Sequence, residues 1–195
     1  AISCKAFRIG LGPFGLMNLT GPPIALHSTD YLAEQLNTSR YTGAQNLRDL
    51  VAENVMWPIE DDSEYSQEQY TTVSERLLGV VFGVAAQIVE EDICSMEDVD
   101  RGAKVGLRWA RGPFEMMNRI GVAEAYRMAQ SYRAIAGDAW ALPSFFKEQA
   151  DASTNWDFSY VDLFVEDGIA TITINRPEAM NALNEVVVAQ LTEAV

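Results

Sequence analysis

The sequence predicts a mainly α-helical chain. In it one helical unit occurs twice, the copies packed on each other as a pseudo-dimer, and a β-hairpin plus helix then begin a truncated α/β domain. Three observations predict this. Residues 12–21 read GPFGLMNLTG and residues 112–121 read GPFEMMNRIG, identical at six of ten positions at an offset of 100. Repetition of this kind marks a supersecondary unit whose copies bury faces against one another. Residues 73–91 place Leu77, Val80, Val81, Val84, Ala85 and Ile88 on the 3.6-residue stripe of a buried helix. Beyond Val161 the period falls to two, with Ala170, Ile172 and Ile174 alternating with Thr171 and Thr173.

Each element follows from local signals. The first copy spans residues 1–57, with a helix expected over Ile24–Leu36. An acidic linker, PIEDDSEYSQEQ, occupies 58–69. The second copy, 70–150, opens with the long helix Val73–Glu91, for which the first copy has no counterpart. Ser95 caps the next helix, with Glu97 and Asp98 at the positive end of its dipole, and Gly106 ends it. Gly112-Pro113 restarts a short helix that turns Phe114, Met117 and Ile120 inward, and Gly121 stops it before a helix over Val122–Ala136. Arg8-Ile9-Gly10-Leu11 parallels Lys104-Val105-Gly106-Leu107, which would give the second copy an insertion at Arg108–Arg111. A helix over Pro143–Ala150 and a polar joint at 151–160 follow. The terminal piece, 161–195, then reads as strands Val161–Val165 and Ile169–Asn175 around Glu166-Asp167-Gly168, and a helix over Asn184–Val195. About 35 residues are too few to sustain a separate core.

Composition narrows the function. The chain has 195 residues with 14 Lys and Arg against 28 Asp and Glu, a formal net charge of −14. Such a surface repels phosphate backbones and anionic lipid, which argues against nucleic-acid or membrane partners. Both high-salt adaptation and an ordinary acidic protein fit the shortage of lysine. The apolar runs, such as Leu77–Ala86, fall short of a bilayer span, and AISCKAFRIG lacks the pattern of a signal peptide. Cys4 and Cys94 cannot supply a disulfide framework or a four-ligand zinc site. A cytoplasmic location is expected.

Few motifs carry chemistry. Gly10-Leu11-Gly12-Pro13-Phe14-Gly15 spells a dinucleotide fingerprint, and Asp30 stands near the spacing of a ribose-binding acid. However, Pro13 removes a backbone donor and Gly-Pro-Pro at 21–23 cuts the following helix short. His27 is the one histidine and has no nucleophile paired with it in sequence. Clusters such as Glu90-Glu91-Asp92 and Asp61-Asp62 read as solvated, and Met116, Met117, Met128, Trp109 and Trp140 read as core or interface, with Trp109 also placed to line a groove. Asn175–Asn184, NRPEAMNALN, combines a proline break with small residues, a setting in which a ligand can approach the backbone.

On these residues the chain resembles two families. Leu77–Gly121, with VEEDICSMEDVDRGAKVGLRWARGPFEMMNRIG, resembles the C-terminal helical domain of L-3-hydroxyacyl-CoA dehydrogenases, and the first copy looks like a shortened second version. Val161–Val195, with VEDGIATITINRPEAMNALN, resembles the opening hairpin and helix of the enoyl-CoA hydratase (crotonase) family. The order is that of archaeal-type bifunctional β-oxidation proteins, so the resemblance implies a mid-protein fragment. It implies NAD as cofactor of the parent, bound by a domain outside this chain, and acyl-CoA as its substrate. It also implies assembly as a homo-oligomer or an internal pseudo-dimer. The family's Phe-x-x-Asn-Arg motif falls on Thr72–Arg76 with Glu75 in place of asparagine, so no catalytic residue is expected here. In the hydratase family the NRPxAxNAL loop lines the CoA site, which maps onto Glu178, Ala179, Met180 and Ala182. The rival readings are a non-catalytic helical self-association scaffold and, from GLGPFG taken literally, a nucleotide-binding module.

Overall fold

Capping and close approach explain the central helices of the computed structural model, which describes residues 1–59, 64–136 and 140–195. Helix α5, counted in chain order, spans Gln67–Glu90 and starts with a reciprocal capping box. The Ser66 hydroxyl accepts the Gln69 N–H at 3.1 Å, and the Gln69 side chain accepts the Ser66 N–H at 2.8 Å. The helix therefore begins six residues before Val73. Its first turns are polar, and an apolar stripe cannot reveal them. The predicted 58–69 linker loses Gln67–Gln69 to it, and Asp61-Asp62 lie outside the described residues. By length and composition α5 could cross a bilayer, a correction to the shorter apolar run read from the sequence. Yet it buries Leu78, Phe82, Ala85 and Ala86 in the protein core.

Around α5 lie α6 (Met96–Gly106), α7 (Pro113–Ile120), α8 (Val122–Ala136) and α9 (Ser144–Ala152). Helix α8 crosses α5 where Gly79 leaves room for it. A Cβ at Gly79 would lie 2.4 Å from the Met128 carbonyl oxygen. Phe114 and Met117 of α7, Ala125, Met128 and Ala129 of α8, Phe146 of α9 and Trp156 complete the core. Ile120 stays exposed and Met116 is buried in its place, because Ile120 borders an open cleft beside α5 and α7 rather than the closed core.

The first part of the chain forms α1 (Ile2–Phe7), α2 (Pro13–Thr20), α3 (Pro22–Gln35), a 3-10 turn at Ser39–Tyr41 and α4 (Gln45–Ala52). Its backbone follows the second part at an offset of 100. Gly12 and Gly112 are both extended before their helices, with φ/ψ of −77/170° and −75/164°. Gly21 and Gly121 share φ/ψ of 96/123° and 100/126°, a region that only glycine enters without strain. Arg8 and Arg108 are both left-handed, at φ 53° and 55°. That pairing leaves four residues before each Gly-Pro, so Arg108–Arg111 is not an insertion. A tertiary bond recurs too. Asn18 and the Trp57 backbone exchange two hydrogen bonds of 2.9 and 3.0 Å, and Asn118 and the Trp156 backbone exchange two of 2.9 and 2.7 Å.

Burial does not repeat. Phe114 is 0 % exposed and Phe14 is 52 % exposed. Each phenylalanine is engaged within its own half: Phe14 stacks on Trp57 at 4.5 Å, and Phe114 meets Trp156 edge-on at 5.4 Å. The expected clasp between the two phenylalanines is therefore corrected. The halves meet instead where α1 lies along α5, where Phe7 stacks on Trp109 at 4.8 Å, and where Arg40 donates to Gln87 and lies over Trp140.

The terminal piece is an antiparallel ribbon of β1 (Val161–Glu166) and β2 (Ile169–Ile174), paired from Val161–Ile174 to Glu166–Ile169. Asp167 and Gly168, both at positive φ, make its two-residue turn. Helix α10 (Glu185–Ala194) is capped by Asn184, whose side chain accepts the Val187 N–H at 2.9 Å. Val187 is fully buried, and Gln190 ties α10 to the ribbon by accepting the Tyr160 N–H and donating to the Phe158 carbonyl.

Candidate functional site

The loop between β2 and α10 holds the residues singled out for ligand contact. Arg176-Pro177 ends the strand, and Pro177–Ala179 forms a 3-10 turn. Met180 and Asn181 then adopt left-handed backbone at φ 53° and 56°. The N–H groups of Ala179, Met180, Asn181 and Ala182 donate to the carbonyls of Arg176, Pro177, Arg176 and Ala179. With those four donors used internally, the loop offers a ligand mainly its surface. Ala179 is half-buried, Ala182 is exposed, and Met180 is 93 % exposed.

Glu178 points the other way. Its carboxylate is largely buried and pairs with Arg101 of α6 at 3.4 Å and with Arg176 at 3.9 Å. Arg101 also donates to the Asn175 side chain at 3.3 Å, and Ser159 N–H donates to Glu97 of α6 at 2.7 Å. Arg176 in turn donates to the Ala182 carbonyl at 3.1 Å and lies over the Tyr160 ring. Three of the four candidates, Ala179, Met180 and Ala182, thus remain at the loop surface. Glu178 is the anchor that binds this loop to α6.

Asp100 is a residue that motif reading missed. It is 2 % exposed and accepts the N–H groups of Phe114 at 2.8 Å and Glu115 at 2.9 Å. Gly112, the N-cap of α7, has no side chain to do this, so a carboxylate from α6 caps the helix. A Cβ at Gly112 would fall 2.1 Å from the Asp100 Cγ. Glu115 adds a second cap by accepting the Gly112 N–H, and Lys104 donates to Glu115 at 2.7 Å. Burial pushes the Asp100 carboxyl up to about 6, against the two backbone donors that favour its charged form. A Gly-Pro helix start leaves its first N–H groups without a capping side chain of its own, a gap that Asp100 fills for α7 and that no described side chain fills for α2.

The remaining candidates take structural positions. The glycines of GLGPFG follow α1 rather than a strand, and a Cβ at Gly15 would collide with Leu11 at 2.4 Å, so the segment packs on itself and does not fit a dinucleotide. Asp30 accepts from Gly43 N–H and pairs with Arg48, which holds its carboxyl below the usual range. His27 is exposed beside Tyr31. Glu75, on α5, pairs with Arg127 at 2.8 Å. Burial raises the Cys94 thiol, with Asp98 adding to it. Among the described residues no group of three His, Cys, Asp or Glu is placed to hold a metal.

The α5–α9 assembly and its capped α7 can be set beside known families. Residues 73–155 match the family described as 3-hydroxyacyl-CoA dehydrogenase, C-terminal domain. No curated protein and no solved structure matches the chain. The matched residues run from the apolar part of α5 to the residue before Trp156, so this dehydrogenase-type segment contains Asp100, Arg101 and the whole Asn118 side of the Trp156 bridge. Its helices supply the α6 surface on which Glu178 is anchored.

Proposed function

We propose that the chain is the helical, non-catalytic part of a β-oxidation protein that joins a 3-hydroxyacyl-CoA dehydrogenase to an enoyl-CoA hydratase. The carrying observation is the match of residues 73–155 to the dehydrogenase C-terminal domain. The shared backbone of residues 8–21 and 108–121 supports a duplicated unit. The hairpin, the NRPEAMNALN loop and α10 support the start of a crotonase-type domain. In this reading α5–α9 form a rigid wall for assembly and substrate closure, and Arg101 joins that wall to the loop that would border CoA. Ala179, Met180 and Ala182 would touch CoA through their surfaces, and Glu178 would hold their loop in place. The parent would hydrate a trans-2-enoyl-CoA and oxidise the 3-hydroxyacyl-CoA with NAD, in the cytoplasm. NAD would be bound by residues outside this chain, because GLGPFG does not fit it.

Assays on the complete gene product and on the 195-residue chain test this. The complete protein should form NADH from 3-hydroxybutyryl-CoA and hydrate crotonyl-CoA, and the chain alone should do neither. A complete protein without either activity overturns the reading. The self-association scaffold draws its support from the run Ile9–Thr29, which has no charged residue and exposes Leu11, Phe14, Leu16, Leu19 and Ile24. That alternative requires a complete protein that oligomerises without turning over acyl-CoA.

A further inference from the structure

We propose that the cleft where α1, α5 and α7 meet binds an amphiphilic anion, an alkyl chain ending in a carboxylate or phosphate. The cleft has a volume of about 190 Å³ and lies at the seam between the two halves. Its floor is apolar, built from the buried side chains of Phe7, Leu78 and Met116. Arg8, Arg111 and Arg119 line its rim, and among the described residues no carboxylate side chain does. The Tyr70 ring forms part of the wall, and Lys5 Nζ lies 4.6 Å from that ring's centroid.

Charge makes this arrangement informative. The chain carries twice as many acids as bases, 28 against 14, yet three arginines converge on this one cleft. Arg48, Arg101, Arg127 and Arg176 pair with carboxylates; among the described residues Arg8, Arg111 and Arg119 form no such pair, which is equally true of Arg40, Arg76, Arg108 and Arg133, but those four do not line the cleft. Arg8 has its counterpart in Arg108, but Arg111 and Arg119 do not recur, since Leu11 and Leu19 occupy their positions at the offset of 100. Guanidinium forks match carboxylate and phosphate oxygens with paired hydrogen bonds. Beside an apolar floor they select a head group that carries a tail, rather than a bare ion or a neutral alcohol. This chemistry does not depend on the function proposed above.

Calorimetric titration of the 195-residue chain with octanoate, octyl phosphate, inorganic phosphate and 1-octanol tests the proposal. Octanoate or octyl phosphate should bind, the tighter of the two naming the head group, and phosphate and octanol should bind at least about tenfold more weakly. Arg111→Ala and Arg119→Ala should each weaken binding about tenfold, equivalent to about 1.4 kcal/mol. Arg133→Ala, on α8 and outside the cleft, should leave it unchanged, with circular dichroism confirming that each variant is folded. The arginine variants also separate this cleft from the exposed apolar face of α2 and α3, which would take up an alkyl chain without them. Absence of amphiphile binding to the folded chain overturns the proposal. So does octanol or phosphate binding as tightly as the amphiphiles, or binding that survives loss of both Arg111 and Arg119.

Discussion

Asp100 joins two helices with one carboxylate, and its environment makes that joint sensitive to acidity. The folded chain holds the carboxyl at about 6, above the 3.8 of an exposed aspartate. The folded state therefore binds this proton more tightly, so the stabilisation is complete below about pH 4 and is lost as pH rises through about 6. A shift of this size corresponds to about 3 kcal/mol at most. Asp100→Asn cannot titrate, so the stability difference between it and the unaltered chain should move in the variant's favour by up to that amount from pH 4 to pH 7. Urea midpoints across this range measure it, and a difference independent of pH would remove the assignment. Arg101, the next residue, works across a longer distance. Arg101→Ala removes the α6 partner of both Glu178 and Asn175, and amide exchange at residues 175–184 should quicken about tenfold as the loop opens more often. Unchanged exchange would show that Arg176 and Ser159 suffice to hold it.

Among the elements, the two GPF helices show what local sequence determines. Gly12 and Gly112, Gly21 and Gly121, and Asn18 and Asn118 reproduce each other because start, stop and bridging residue all lie within a few positions or on one side chain. The start of the helix at Val122 could be read to the residue for the same reason, with glycine before it and an apolar stripe along it. Burial could not be read, because it depends on what lies above the helix. Phe114 lies under α5 in the core, whereas Phe14 is half exposed and stacks on Trp57. Phe114→Ala should therefore cost about 3–5 kcal/mol, and Phe14→Ala about 1 kcal/mol from partial burial and lost stacking. Equal losses by chemical denaturation would mean that Phe14 is covered in solution. The same limit applies to the candidate loop. Its proline break and small residues were legible, but the inward turn of Glu178 depends on a partner 77 residues away.

On the scale of the whole molecule, a helical body and a small ribbon are joined through α6. The body has a continuous core from α5 to Trp156. The ribbon has little: most of β1 and β2 is exposed, including Phe164, Val165 and Ile169. Among the described residues these two strands form a sheet by themselves, so each retains an outer row of backbone donors and acceptors with no neighbouring strand. Such rows are templates for strand addition and are available to other molecules. Concentrated solutions should slowly bind thioflavin T, and Val165→Lys, which places a charge on the exposed strand, should delay it. The 195-residue chain is thus expected to keep longest when dilute, and the span from 161 to 174 is where its loss to fibrils should begin.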